Sequence, residues 1–200
     1  MAGSKVEVFN LALALLGGHQ LLSFEAPWED DNLGRLCDAC FPQILREALE
    51  AHEWSFAQNS QDLARLDEPG RDGYDYRFKL PADCIRPVRV VDGSVDGPDY
   101  IIEGGHLLTT APSARLLYVV DLDDPKRWPP SFTTALAWGV AAVLAMANNN
   151  DTDKQQVCIQ NFKNFIEQAW ARDLQQQNPA KITSAWSSAR HGVFYSGDHR

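Results

Sequence analysis

The short motif Cys37-Asp38-Ala39-Cys40 has the spacing of a redox or metal-binding cysteine pair. A redox-active CxxC follows a strand and opens a helix, because the helix dipole then lowers the pKa of the first thiol. A structural zinc site needs four ligands, and Cys84 and Cys158 are isolated in the sequence. The pair instead falls in the middle of an apolar helical stripe. We interpret both cysteines as core residues and keep a cytosolic metal or redox protein using Cys37 and Cys40 as an alternative.

Acidic side chains are grouped at several places in the chain. The groups are Glu29-Asp30-Asp31, Glu47 with Glu50, Asp121 with Asp123 and Asp124, and Asp151 with Asp153. A glycosidase needs two carboxylates that face each other across a cleft, and no feature of the sequence indicates such a cleft. Acidic residues at helix starts and in turns are explained by capping and solvation alone. We therefore assign these groups no chemistry.

Signatures of nucleophilic catalysis and phosphate binding are missing from the sequence. It contains no GxSxG, GxxxxGK[ST] or HExxH motif. No paired metal motif is formed by the five histidines, which are His19, His52, His106, His191 and His199. Arg86 and Arg89, with Lys79 nearby, are too few for a nucleic-acid footprint and are expected on a solvated strand face. We expect a protein that is not an enzyme and has no metal site and no cofactor.

Length and composition indicate one ordinary globular domain, or one domain with a small inserted subdomain. The 200 residues are 44% hydrophobic and 22% charged, which is too apolar for a disordered chain. No apolar run approaches the roughly 18 residues of a membrane helix, and the N-terminus lacks the layout of a signal peptide. A net charge of -9 argues against tight binding to nucleic acid.

The acidic residues are concentrated in the first two thirds of the chain. Residues 131–200 contain five acidic and six basic side chains, a net charge of +1, so the remainder has a net charge of -10. One interpretation is chance scatter over solvated faces. The other is that the C-terminal third contacts an acidic partner surface, such as that of a neighbouring copy.

Two helices are predicted before residue 60. Val6, Phe9, Leu13 and Leu16 recur at helical spacing, which predicts a helix over about residues 6–16 that ends at two glycines. A second helix is predicted from about residues 28–31 to residue 54. Pro42 is expected to kink it.

The helical period disappears between residues 67 and 124. Short apolar runs separated by Gly, Pro and Asp predict five strands: Tyr76–Leu80, Cys84–Val91, Tyr100–Glu103, His106–Thr110 and Arg115–Leu122. Gly104-Gly105 predicts a tight hairpin between two of them. The pattern indicates a small antiparallel sheet inserted between helices.

Helical periodicity returns over residues 132–147, which are rich in alanine, and over residues 154–176. The predicted fold is mainly α: an antiparallel helix bundle with an inserted small antiparallel β subdomain and an extended C-terminal arm. The predicted divisions are N-terminal helices of the bundle (1–66), the β subdomain (67–127), C-terminal helices of the bundle (128–177) and the arm (178–200). Aromatic residues on the aperiodic arm favour its binding to another surface.

Three stretches, in this order and spacing, resemble a known family. They are Leu49–Ala57 (LEAHEWSFA), Tyr76–Cys84 (YRFKLPADC) and Pro130–Ala137 (PSFTTALA). The chain is similar over about residues 5–175 to the tail tubular protein A group, the head-to-tail adaptors (connectors) of short-tailed bacteriophages (podoviruses). Beyond residue 175 the similarity is limited to the presence of an arm.

The resemblance implies a structural virion protein, located in the tail below the portal and assembled in the host cytoplasm. It implies a ring of about twelve copies that joins the portal protein to the tail nozzle protein and surrounds the DNA ejection channel. DNA would pass without specific binding, because an acidic wall repels phosphates. No membrane is implied.

The resemblance and the composition together assign structural roles to two sets of residues. A structural corner between helices and sheet is expected at His52, Trp54, Phe56, Leu80 and Pro81. Anchors of the arm, on the portal or a neighbouring subunit, are expected at Trp186, Arg190, Phe194 and Tyr195. One related tail factor is thought to cut the bacterial wall, so an adaptor that also hydrolyses peptidoglycan is a further alternative.

Overall fold

The computed structural model describes residues 4–17, 32–68, 70–71, 73–91, 98–149 and 151–176. Of these described residues about 54% are helical and 22% are in strands, and they form four α-helices and two three-stranded antiparallel sheets. The protein is therefore a mixed α/β fold. The mainly α fold that we predicted, an antiparallel helix bundle with an inserted β subdomain, is wrong, and the predicted arm (178–200) lies outside the described residues.

The four helices lie close to their predicted positions. They are α1 (Lys5–Leu15), α2 (Asn32–Ala51), α3 (Pro130–Asn149) and α4 (Thr152–Gln176). The Ser4 hydroxyl caps α1 by accepting a hydrogen bond from the Glu7 N–H, and the Asp151 carboxylate caps α4 by accepting one from the Lys154 N–H. Gly17 follows α1 with a φ of 75°, a left-handed conformation that glycine adopts without strain.

The alanine-rich helix α3 is the centre of the helical layer. It packs against α1, α2 and α4 and is buried on most sides. A Cβ atom added at Gly139 would lie 2.6 Å from Cγ2 of Ile44 and 3.2 Å from the ring of Phe162. The absence of a side chain at this position therefore lets α2 and α4 approach α3 closely.

Helix α3 is also long and apolar enough to cross a membrane, a feature that we did not expect from the sequence. Over Pro130–Ala147 the mean hydropathy is 1.5, and 61% of that window is buried inside the protein. Burial in the core accounts for this composition, because a central helix is apolar all round.

Six strands form the two sheets in the described ranges. They are β1 (Gln58–Asp62), β2 (Tyr76–Lys79), β3 (Cys84–Val91), β4 (Tyr100–Glu103), β5 (His106–Thr109) and β6 (Arg115–Val120). The first sheet has the order β1-β6-β3 and the second has the order β2-β5-β4. Gly104 and Gly105, both with positive φ, form the predicted hairpin turn between β4 and β5.

The first sheet explains why the mainly α prediction fails. Val119 of β6 and Leu122 just after it are buried in the same core as the helices, and Ile85 and Val88 of β3 pack against that core. Strand β1 pairs with β6 along its whole length, although it falls in the segment that we assigned to helices. The first sheet is thus a layer that packs against the helices and contributes residues to the same hydrophobic core.

A second, smaller core lies between the two sheets. Its buried members are Phe78, Val90, Leu107, Ala114, Leu116 and Tyr118. Phe78 and Leu107 face each other across β2 and β5, while Leu116 and Tyr118 come from β6. The second sheet is therefore attached to the first by apolar contacts between their facing sides.

Candidate functional site

The segment that follows α2 turns the chain from the helical layer into the first sheet. The last carbonyl groups of α2 lack partners within the helix. Nη1 of Arg86, on β3, donates to the carbonyl oxygens of Glu50 at 3.2 Å and Ala51 at 3.3 Å. A cation at a helix C-terminus also complements the helix dipole. Arg86 therefore has a structural partner at the end of α2, while Arg89 and Lys79 are exposed on their strands, as expected for a solvated face.

Trp54 is the centre of an aromatic cluster at this turn. The residue is fully buried, and its Nε1–H donates to the carbonyl oxygen of Ala48 at 2.8 Å. Its ring centroid lies 5.0 Å from that of Phe132, 5.5 Å from Phe56 and 5.9 Å from Trp170. The cluster, which we call the corner, consists of His52, Trp54, Phe56, Phe132 and Trp170. It joins α2, α3 and α4.

His52 attaches the end of α2 to α4. Its ring stacks on that of Trp170, with the ring centroids 4.9 Å apart and an angle of 3° between the ring planes. It also makes an edge-to-face contact with Trp54, with the ring centroids 5.5 Å apart. Nε2 of His52 lies 3.2 Å from Oε1 of Glu167. These contacts give the imidazole a packing role in the corner.

Asp173 is a buried carboxylate that fixes the same turn from α4. Only 5% of the residue is exposed. It accepts a hydrogen bond from the Ser55 N–H at 2.8 Å and another from the Ser55 hydroxyl at 2.5 Å. Ser55 begins the 3-10 helix Ser55–Ala57, so Asp173 caps a neighbouring element across space. These bonds offset the cost of burying the charge.

Only part of the predicted structural corner comes together. The rings of His52 and Phe56 both contact that of Trp54. Leu80 instead packs against the smaller core between the sheets, and the carbonyl of Pro81 accepts the Cys84 N–H at 3.1 Å in a turn. The four predicted arm anchors, Trp186, Arg190, Phe194 and Tyr195, lie outside the described residues, as does the whole segment 178–200.

Two partners in this region were not predicted from the sequence. Trp170 and Asp173 both belong to the predicted C-terminal helix, but we did not single them out. Asp173 lies four residues after Ala169 and seven after Ile166, on the face that α4 buries. An acidic residue on a buried helical face is a signal that could have identified it.

The cysteines have the environment of core residues. Cys37 is fully buried, and the Cys40 thiol donates to the carbonyl oxygen of Cys37 at 3.4 Å. Burial raises the pKa of Cys40, and burial together with Asp83 raises the pKa of Cys84 to about 11. Raised values keep thiols protonated, opposite to the shift of a reactive cysteine. Among the described residues, no group of three His, Cys, Asp or Glu side chains could hold a metal ion.

Several of the grouped carboxylates have structural partners, whereas Glu47 and Glu50 are exposed on α2. Asp121 pairs with Arg46 at 2.9 Å, and Asp123 pairs with Lys5 at 2.7 Å. Asp124 caps the 3-10 helix Pro125–Arg127 by accepting the Lys126 N–H. The predicted group Glu29-Asp30-Asp31 lies outside the described residues.

An open pocket of about 440 Å³ lies on the second sheet. It is lined by Gly70, Arg71, Arg77, Glu103, Gly104 and Leu108. Arg71 pairs with Glu103 at 3.2 Å, and Arg77 pairs with Glu68 at 2.7 Å. The two guanidinium charges are thus already matched by carboxylates, and the pairs tie the segment before β2 to the sheet. Beside the corner, a cavity of about 20 Å³ has room for little more than one water molecule.

No protein-family model matches this chain, and no curated protein matches it. The role of the described residues is therefore argued from their arrangement in this structure. Within the described ranges, the most extensive arrangement of aromatic and polar side chains is the corner, where rings interlock and polar groups satisfy helix ends. Such an arrangement can fix the angle between the helical layer and the first sheet.

Proposed function

We propose that this chain is a structural virion protein, the head-to-tail adaptor that joins the portal to the tail nozzle in a short-tailed bacteriophage. The main support is the use of the stretch Leu49–Ala57, the first of the three that resemble this protein family. His52, Trp54 and Phe56 of that stretch pack into a joint between helices and sheet. A subunit of a ring requires motifs of this kind, which hold its helices and sheet together.

The overall charge supports the same proposal. A chain with a net charge of -9 repels DNA phosphates. In a ring that surrounds a DNA channel, such repulsion lets the DNA move without adhering to the wall. The proposal assigns no residue a catalytic role and requires no cofactor.

Mixing the purified chain with the portal protein encoded in the same genome tests the proposal. Mass photometry of the mixture should show about twelve copies of the chain added to each portal ring. A variant that ends at residue 177 should keep its helical circular dichroism but fail to bind, because the anchors Trp186, Arg190, Phe194 and Tyr195 are missing.

Two results would count against the proposal. A full-length chain that does not bind a correctly assembled portal ring contradicts the adaptor role. Equal binding by the variant that ends at residue 177 contradicts the role of the arm and leaves the adaptor role intact.

A further inference from the structure

His106 is a half-buried residue on the face of the second sheet that lies away from the smaller core. It begins β5, and the next residue, Leu107, belongs to that core, so the side chain of His106 lies on the opposite face. Nδ1 of His106 is 3.1 Å from Nη2 of Arg77 on β2. A guanidinium group only donates hydrogen bonds, so Nδ1 accepts this one. The imidazole is therefore neutral in this arrangement, with its proton on Nε2.

Arg77 depends on this acceptor. Its Nη1 donates to Oε2 of Glu68 at 2.7 Å, which holds the segment before β2, here residues 63–68 and 70–71. Its Nε is buried and has no hydrogen-bond partner among the described residues. The guanidinium thus already lacks one acceptor, and a buried donor without an acceptor is costly. Loss of the bond to His106 would remove a second acceptor, so Arg77 would have to move and loosen its hold on Glu68.

The residues directly opposite His106 have opposite charges. Lys79 of β2 and Glu103 of β4 are its partners in the strand register, and opposed side chains on one face have Cβ atoms about 5 Å apart. Glu103 in turn pairs with Arg71, of the segment before β2, at 3.2 Å. Arg77 and Lys79 oppose a positive charge on His106, whereas Glu103 attracts one.

We propose that His106 is a pH-operated switch that determines whether the segment before β2 stays attached to the second sheet. Histidine is the side chain whose charge changes between about pH 5 and 8. When His106 gains a proton, Nδ1 becomes a donor that faces a donor on Arg77, and the hydrogen bond between them is lost. The imidazolium then pairs with Glu103, which releases Arg71.

Acid therefore detaches the segment, and neutral or higher pH attaches it. The attached form requires a neutral imidazole, so it is favoured at the upper end of the histidine range and is lost as the pH falls. One main-chain bond reports directly on this attachment, because the Leu66 N–H donates to the carbonyl oxygen of Arg77 at 2.8 Å. The switch does not depend on the proposed function.

NMR spectroscopy of the full-length, ¹⁵N-labelled chain tests the switch. At about pH 8, a long-range ¹H–¹⁵N spectrum should place the proton of His106 on Nε2, and a proton on Nδ1 would overturn the inference. Protection of the Leu66 amide from hydrogen exchange should fall about tenfold or more from about pH 7.5 to about pH 5.5, because one proton-linked group shifts an opening equilibrium by up to about tenfold per pH unit. Protection of the Val119 amide, on the central strand of the first sheet, should stay constant. An equal fall at Val119 would mean that acid loosens the whole chain, which also overturns the inference.

His106→Asn removes the titrating group, while its side-chain oxygen can still accept from Arg77. Protection of Leu66 should then be the same at both pH values. His52→Asn is the matched control, because it makes the same substitution at the other histidine in the part of the chain that the structure describes, and it should keep the pH dependence. The inference is overturned if Leu66 protection does not depend on pH in the wild type, if the dependence persists in His106→Asn, or if it disappears in His52→Asn.

Discussion

The helical layer and the second sheet are held in place by different forces. The helices pack through small residues and interlocked aromatic rings, with Trp54 fully buried and α3 mostly buried at the centre. The second sheet rests on a small apolar core, and surface ion pairs such as Arg71–Glu103 attach the preceding segment. Close packing makes the helical layer sensitive to small changes in volume, whereas exposed ion pairs contribute little.

The largest effect is expected at Trp54. Trp54→Ala removes a fully buried ring, its contacts with Phe132 and Trp170, and the hydrogen bond to Ala48. The free energy of unfolding should fall by about 3–5 kcal/mol, measured by denaturant titration. A loss below about 1 kcal/mol would show that the corner does not hold the layers together.

Gly139→Ala tests how closely the helices approach. The new Cβ atom would lie 2.6 Å from Cγ2 of Ile44, so the neighbours must move. The variant should lose about 1–3 kcal/mol of stability, although alanine is favoured over glycine in a helix by about 1 kcal/mol. In a thermodynamic cycle, Ile44→Ala should cost less in the Gly139→Ala background than in the wild type. Increased stability of Gly139→Ala would contradict the close approach.

Asp173→Asn should have an intermediate effect. The amide retains only one oxygen for the two bonds from Ser55, so about 1–3 kcal/mol of unfolding free energy should be lost. Ser55→Ala removes the hydroxyl partner. The two substitutions should therefore be less than additive when combined. Strict additivity would mean that the two residues do not act as a pair.

The smallest effect is expected at the ion pair between the segment before β2 and the second sheet, in Arg71→Gln. The Arg71 side chain is 69% exposed and its partner Glu103 is 52% exposed, so solvent screens the pair. Stability should change by no more than about 0.5 kcal/mol. A change as large as that of Gly139→Ala would remove the distinction between the two regions.

The sequence predicted the elements of the fold better than their arrangement. Helix positions and five strands follow from local periodicity and turn residues, which the chain displays clearly. Strand β1 (Gln58–Asp62) was missed because its residues are all polar and four of the five are exposed. Its strand conformation comes from pairing with β6, which lies far away in the sequence.

The prediction of the fold class was wrong for a related physical reason. Apolar residues of β3 and β6, such as Val119, identify a buried face but do not specify which surface covers it. The helices cover it here, so the sheet is a layer of the main core. At the corner, the ring residues His52 and Trp54 were predicted from a motif. The isolated polar partners Arg86 and Asp173 depend on contacts across space that periodicity does not reveal.

Electron cryomicroscopy of the chain mixed with the portal protein encoded in the same genome tests the central claim most directly. The adaptor proposal predicts a closed ring of copies beneath the portal, with the corner residues His52, Trp54 and Trp170 packed as they are in the single chain. The opposite result would be a portal ring without this chain, or a single copy bound away from the channel axis.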